Sequence, residues 1–74
     1  MKIESANIWL QTHPSHIDLL TKIVEAYEHL GVVSTIGRQQ GLVVVRGTAD
    51  TRPDLLHILS NLPFEVTINP DSIV

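Results

Sequence analysis

The chain has 74 residues, and its content of 43% hydrophobic and 18% charged residues is typical of one folded domain spanning residues 1–74. Eight Asp and Glu against five Lys and Arg give a net charge of −3, which provides no attraction for phosphate backbones or anionic lipid, so we expect neither nucleic acid nor a membrane as a partner. The absence of cysteine excludes disulfides, thiolate metal sites and a cysteine nucleophile.

The first predicted strand contains Ile8 and Leu10, which alternate with Asn7, Trp9 and Gln11. Such alternation is typical of a strand with one face against a core. We therefore expect Trp9 to point to the face that Ile8 and Leu10 do not use.

The first predicted helix has apolar residues at steps of three and four, namely Ile17, Leu20, Ile23, Val24, Tyr27 and Leu30. We expect it to begin with a capping box of Ser15 and Asp18 and to carry an ion pair from Asp18 to Lys22. Its polar face includes His29, and Gly31 is expected to end it in the left-handed conformation.

Two strands rich in β-branched residues follow, over Val32–Ile36 and Leu42–Val45, and the short segment Gly37–Gly41 joins them. This pattern predicts a β-hairpin. Because the second strand shows no polar alternation, we expect it to be a central strand covered on both faces.

A second helix is expected to start after a Thr51 cap and to end at Pro63, with apolar residues at Leu55, Ile58, Leu59 and Leu62. A fourth strand follows and stops at Pro70, with its apolar residues at Phe64, Val66 and Ile68. The order of elements is therefore strand, helix, strand, strand, helix, strand.

This order predicts an α+β, ferredoxin-like βαββαβ fold, with two helices on one face of a four-stranded antiparallel sheet and with strands one and three in its centre. The second face then carries Trp9 and alternate residues of strand three, for which we take Val43 and Val45. A domain of this size buries only about 60% of its unfolded surface, so we expect a homodimer that associates through an interface of these three residues or through an edge strand. The alternative is that Trp9 shields the sheet in a monomer.

The candidate ligand-binding residues are Thr12, His13, Pro14, Ser15 and His16, which form a polar loop between strand one and helix one. Backbone amides at a helix start suit a carboxylate or another small anion, and the alternative is an ordinary capped loop. His13 and His16 supply only half of a metal site, so we expect no metal and no other cofactor.

The hairpin tip Arg38–Gln40 is expected at the opposite end of the molecule, where it contacts a partner or ligand or forms a solvated turn. No nucleophile, base and orienting group can be assembled from the spacing of the Ser and His residues. We therefore predict no catalytic residues and no enzymatic activity.

Helix one, a glycine at its end and a β-branched strand lie together in the run Ile17–Val33, IDLLTKIVEAYEHLGVV. With the order of elements and the polar turn before helix one, this run resembles small regulatory domains of the ACT type, and it is also similar to short stand-alone bacterial proteins of unknown function. The ACT resemblance implies binding of an amino acid or a similar metabolite at Thr12–His16, commonly between two domains. ACT domains typically have an acid and a glycine in this loop, where this chain has His13-Pro14-Ser15-His16.

The sequence thus predicts a non-enzymatic, homodimeric regulatory module that senses an amino acid or a similar small metabolite. The alternative is a protein–protein interaction subunit with no small-molecule ligand, and a metal-binding protein built on His13 and His16 is a third reading. We expect a cytoplasmic location, because the start does not resemble a signal peptide and no apolar run approaches the roughly 18 residues that cross a bilayer.

Overall fold

The computed structural model describes residues 5–27 and 30–69, and these form a four-stranded antiparallel sheet, two α-helices and a short 3-10 turn. In chain order the elements are β1 (Ser5–Thr12), the 3-10 turn (Pro14–His16), α1 (Ile17–Glu25), β2 (Val32–Gly37), β3 (Leu42–Thr48), α2 (Arg52–Ser60) and β4 (Val66–Ile68). The strand order β2-β3-β1-β4 confirms the predicted ferredoxin-like fold with β1 and β3 in the centre. Neither helix in this part of the chain is long and apolar enough to cross a membrane.

Both helices cover the same face of the sheet. One hydrophobic cluster joins them to the inward side of the central strands, and its buried members are Ile8, Leu10, Ile17, Leu20, Val24, Leu30, Val43, Val45, Leu55 and Leu59. None of these side chains is more than 8% exposed. Full burial of one such aliphatic side chain stabilises the fold by about 1.5–3 kcal/mol, so this layer is the main source of stability.

The open face of the sheet, away from the helices, carries Trp9 but neither Val43 nor Val45. In the observed register Trp9 pairs with Val44, whereas Val43 and Val45 pair with core residues of β1 and are fully buried in the cluster under the helices. The prediction that Val43 and Val45 share the face of Trp9 is therefore wrong by one residue, because side chains alternate between faces along a strand. Val44 is fully buried on the open face, where its register neighbours are Trp9 and Ser34.

The first helix is shorter than its apolar pattern predicts. It ends at Glu25, and Tyr27 lies beyond it with 47% of its surface exposed, so Tyr27 does not continue the buried stripe. Leu30 is buried as predicted. The predicted polar-face residue His29 lies outside the described residues.

Gly31 does not end this helix in the left-handed conformation. Within residues 5–27 and 30–69 a positive φ occurs at Gly41 (72°) and not at Gly31. A Cβ atom on Gly31 would instead lie 2.8 Å from the carbonyl oxygen of Arg46, so glycine is needed here because the backbone passes close to β3.

The second helix begins after Thr51 as predicted, but the Thr51 hydroxyl does not cap it. That hydroxyl accepts a hydrogen bond from the Thr48 amide (3.0 Å) and so closes the turn that leaves β3. β4 begins at Val66 and not at Phe64, which lies in the segment before the strand. The predicted stop at Pro70 lies outside the described residues.

Candidate functional site

Thr12 anchors the loop between β1 and α1. Its amide donates a hydrogen bond to the carbonyl of Gly41 (2.9 Å), and its hydroxyl donates one to the carbonyl of Glu65 (2.9 Å). Thr12 is only 7% exposed, and these bonds satisfy polar groups that water does not reach. The start of the candidate loop is therefore tied both to the turn that enters β3 and to the segment that precedes β4.

His13, and not Ser15, caps the turn that leads into α1. Its Nδ1 accepts a hydrogen bond from the Ser15 amide (3.2 Å) and lies 2.8 Å from the Ser15 hydroxyl, while Pro14 occupies the start of the 3-10 turn. α1 begins after His16, which forms no side-chain cap. The capping box predicted for Ser15 and Asp18 is wrong, because the 3-10 turn separates Ser15 from the start of the helix.

The hydrogen bonds of His13 determine its tautomer. A backbone amide can only donate, so Nδ1 of His13 accepts and the neutral ring carries its proton on Nε2. The side chain is exposed, and Nε2 forms no hydrogen bond within the part of the chain that the structure describes. The ring therefore offers an N–H donor to a carboxylate that approaches the loop.

The ring of His16 stacks on the ring of Phe64, with centroids 4.5 Å apart and planes inclined by 20°. It meets the ring of His13 edge-on, at a centroid distance of 5.9 Å. Its Nδ1 atom is buried and has no hydrogen-bond partner among the described residues. An unsatisfied buried polar atom costs about 1–3 kcal/mol, so packing alone does not explain an imidazole at this position.

An open cleft of about 520 Å³ lies between this loop and the segment before β4. Its two walls include Thr12, His13, His16, Pro63, Phe64 and Glu65. The Glu65 side chain is exposed and forms no ion pair with any described residue. The cleft thus brings two imidazoles together with a carboxylate that has no ion-pair partner among the described residues.

Three of the five predicted site residues, Thr12, His13 and His16, line this cleft, whereas Pro14 and Ser15 shape the loop without lining it. The opposite wall, Phe64–Glu65, was not predicted as part of the site. The predicted topology would have been enough to place this wall, because β4 runs antiparallel to β1 and the start of β4 must therefore lie beside the end of β1.

The hairpin tip lies at the same end of the molecule as this loop, so its predicted placement at the opposite end is wrong. Gln11 donates a side-chain hydrogen bond to the carbonyl of Gln40 (2.9 Å), which holds the tip beside the end of β1. Arg38 forms an ion pair with Asp18 (Nη2 to Oδ1, 3.2 Å), whereas the predicted pair between Asp18 and Lys22 is not formed. Both partners are largely exposed, so solvent screens this pair.

The cleft does not have the arrangement of a metal centre. No group of three or more His, Asp or Glu side chains within residues 5–27 and 30–69 is placed to hold a metal ion. In addition, a metal-binding histidine normally donates from its second ring nitrogen, and Nδ1 of His13 instead accepts from Ser15.

In this loop, the Ser15 hydroxyl and the His13 imidazole are in contact, as a nucleophile and a general base would be. The spacing of these residues did not predict this contact. Within the described residues, no third group orients the His13 ring through Nε2. Nδ1 of His13 also accepts from the Ser15 amide, which is the geometry of a cap.

The fold and the cleft together define a small ferredoxin-like α+β domain with an open polar cleft at one end of its sheet. A family model, Domain of unknown function (DUF4911), matches residues 10–66, from the middle of β1 to the start of β4. The chain belongs to this family, and both walls of the cleft lie within the matched residues. No curated protein and no solved structure matches the chain.

Proposed function

We propose that this chain is a non-enzymatic binding module whose cleft, between Thr12–His16 and Phe64–Glu65, takes an amino acid or a similar small carboxylate. The observation that supports this most is the combination, in one cleft, of two imidazoles with a carboxylate that has no ion-pair partner among the described residues. A free amino acid carries a carboxylate and an ammonium group on the same carbon atom. Recognition of both groups needs donors and an acceptor close together.

In this proposal the ligand carboxylate accepts hydrogen bonds from the Nε2 atoms of His13 and His16, and the ligand ammonium donates to Glu65. Hydrogen bonds to charged groups are stronger than those between neutral groups. The loop is fixed by the hydrogen bond from Thr12 to the backbone of Glu65, and His16 is fixed by its stack on Phe64. Groups that are already ordered lose less entropy on binding.

The resemblance to ACT-type regulatory domains supports the same ligand class, because those domains bind amino acids at the loop after the first strand. We propose a regulatory role of this kind, in which the bound amino acid alters the association of the chain with a second copy or with another protein. Catalysis is not part of the proposal, because the Ser15 and His13 pair acts as a cap and lacks an orienting group among the described residues.

Thermal unfolding of the purified chain with L-amino acids, with simple carboxylates and with simple amines tests this proposal. A ligand present at 100 times its Kd should raise the free energy of unfolding by about 2.7 kcal/mol. Amino acids should stabilise the chain more than carboxylates without an ammonium group, and amines alone should have no effect. The absence of stabilisation by any amino acid would contradict the proposal.

Charge-neutral variants sharpen this experiment. Glu65→Gln should weaken amino-acid binding by about 10- to 100-fold, which corresponds to the loss of one hydrogen bond to a charged group, whereas binding of a simple carboxylate should not change. Glu25→Gln is the matched control, because Glu25 is exposed on α1 and does not line the cleft. Equal affinities of the two variants for amino acids would remove Glu65 from the site.

A second candidate function, a protein-interaction subunit without a small-molecule ligand, is favoured by the edge strand β2. This six-residue strand pairs with β3 on one side, and its Val32 and Ile36 side chains are 57% and 47% exposed. An edge strand with exposed apolar side chains can pair with a strand of another chain, and we propose a homodimer formed in this way.

Sedimentation velocity over a range of protein concentrations tests this association. Val32→Lys should convert a dimer into a monomer, and Leu19→Lys, which changes an apolar residue of α1 that is 44% exposed, should not. If the unaltered chain stays monomeric at all concentrations, the proposed dimer is wrong.

A further inference from the structure

A second concave surface lies on the open face of the sheet, beside the cleft. It has a volume of about 440 Å³, and Trp9 and Leu42 contribute its apolar side chains on this face. Trp9 and Leu42 lie on the adjacent central strands β1 and β3, and both side chains are half-buried. We call this surface the tryptophan groove.

The tryptophan groove is continuous with the cleft at the end of the sheet. Gln11 and Thr67 form a register pair between β1 and β4, and both residues line the cleft as well as the groove. The Gln11 amide nitrogen is occupied by its hydrogen bond to Gln40, which leaves the side-chain oxygen of Gln11 and the Thr67 hydroxyl at the junction. A ligand that extends from the cleft onto the open face therefore crosses a short polar rim and then reaches apolar side chains.

The distance between the two regions suits a single small ligand. Gln11 lies at the junction and Trp9 lies two residues earlier on the same strand, which corresponds to about 6.5 Å along β1. Charged and polar groups at one end and an apolar surface at this distance match the two ends of an amino acid with a large apolar side chain.

We propose that the tryptophan groove binds the side chain of the amino acid whose charged groups occupy the cleft, so that the site selects aromatic and large aliphatic amino acids. This inference rests on the proposed function of the cleft and adds its specificity. Trp9 and Leu42 are the specificity-determining residues, whereas His13, His16 and Glu65 bind what all amino acids share. Small amino acids such as glycine and alanine fill only the cleft.

Titration of the unaltered chain with glycine, L-alanine, L-leucine and L-phenylalanine tests the inference by two independent signals. One signal is affinity by calorimetry, and the other is the fluorescence of Trp9, which is the single tryptophan of the chain. L-leucine should bind at least about tenfold more tightly than L-alanine, because each added methylene in an apolar pocket contributes roughly tenfold or more. L-leucine should also shift the Trp9 emission to shorter wavelength, because an apolar side chain displaces water from the indole.

A charged substitution at Leu42 tests whether the groove binds the ligand side chain. Leu42→Lys should lower the affinity for L-leucine to that for L-alanine and leave the affinity for L-alanine unchanged, because Leu42 lines the groove but not the cleft. Leu19→Lys is the control, since Leu19 is an exposed apolar residue of α1 outside both cavities and away from the edge strand β2. The unliganded melting temperature shows whether each variant folds, and the fluorescence of the unaltered chain decides the question if Leu42→Lys does not.

The outcomes separate the two proposals. Equal affinities for all four amino acids, with no change in Trp9 emission, would overturn the groove as the side-chain site while leaving the cleft as the amino-acid site. A failure of every amino acid to bind would overturn both. Tighter binding of L-leucine and L-phenylalanine that is lost in Leu42→Lys and kept in Leu19→Lys would establish the groove.

Discussion

At one end of the sheet the chain packs against itself, and at the other end it leaves a cleft. The closed end comprises Gly31, Gly47, the Thr48–Thr51 turn and Leu55. A Cβ atom on Gly47 would lie 2.6 Å from Cδ1 of Leu55, and one on Gly31 would lie 3.3 Å from the same atom, so the two glycines make room for this leucine. The hydroxyls of Thr48 and Thr51 satisfy one another and the turn amides.

The open end comprises Thr12–His16, Gly41 and Phe64–Glu65. Two hydrogen bonds of Thr12 hold its backbone, and His13, His16 and Glu65 line the cleft. Each end has a buried polar atom with no hydrogen-bond partner among the described residues, Nε of Arg52 at the closed end and Nδ1 of His16 at the open end. The comparison indicates that the side chains of the closed end fill the space between its elements, whereas the open end leaves polar side chains beside a cleft.

The largest effect should come from truncation at the closed end. Leu55→Ala removes a fully buried side chain that contacts both glycines and should lower the free energy of unfolding by about 2–5 kcal/mol. Urea denaturation measures this loss, and Leu19→Ala, at an exposed position of α1, should cost less than about 0.5 kcal/mol. A loss for Leu55→Ala as small as that for Leu19→Ala would contradict the packing described for this end.

Gly41, in the turn before β3, and Gly47, near the end of β3, should respond differently to alanine. Gly41 has a φ of 72° and an added Cβ would overlap the carbonyl oxygen of Thr12, so Gly41→Ala should cost about 1–3 kcal/mol. In Gly47→Ala the added Cβ would meet side-chain atoms of Leu55 and Thr51, and the nearest backbone atom, the Leu30 carbonyl oxygen, would lie 3.2 Å away. Gly47 also has no positive φ, so its cost should be smaller. Chemical denaturation of both variants decides the order, and a larger loss at Gly47 would mean that the closed end is the more rigid of the two.

The order of the secondary-structure elements could be predicted from the sequence, but the face that each residue of β3 occupies could not. The order followed from apolar periodicity, because apolar residues recur every second residue in a half-buried strand and about every 3.6 residues in an amphipathic helix. The run Val43–Val45 contains no polar residue, so the sequence does not mark which valines face the helices. Pairing of β3 with β1 settles this, and pairing is a long-range property.

One wall of the candidate site could be predicted from the local sequence and the other could not, because only the first is formed by residues that are adjacent in the chain. Its first wall, Thr12–His16, is a local loop and could be recognised from the polar residues between a strand and a helix. Its second wall, Phe64–Glu65, is joined to Thr12 by a hydrogen bond across 53 positions of the chain. Gly31 shows the same limit, since a glycine required by a close approach to β3 cannot be distinguished in sequence from one that ends a helix.

The smallest effect should come from the exposed ion pair that joins the hairpin tip to α1. Asp18→Asn removes the pair with Arg38 and should lower the free energy of unfolding by less than about 0.5 kcal/mol, because both side chains are largely exposed. Denaturation at low and high salt measures this, and the difference between variant and unaltered chain should decrease at high salt. A large, salt-independent loss would show that the hairpin tip contributes to the stability of the open end.

Thermal unfolding of the unaltered chain and of His16→Phe, each with and without L-leucine, tests most directly whether the open end trades stability for binding. Phenylalanine keeps the aromatic stack on Phe64, and it removes both the Nδ1 atom, which has no partner among the described residues, and the proposed Nε2 donor. Without ligand the variant should be as stable as the unaltered chain or up to about 1 kcal/mol more stable, and L-leucine should stabilise only the unaltered chain. Equal stabilisation of both chains by L-leucine, or a destabilised variant together with no ligand effect on either chain, would contradict the role of His16 in the cleft.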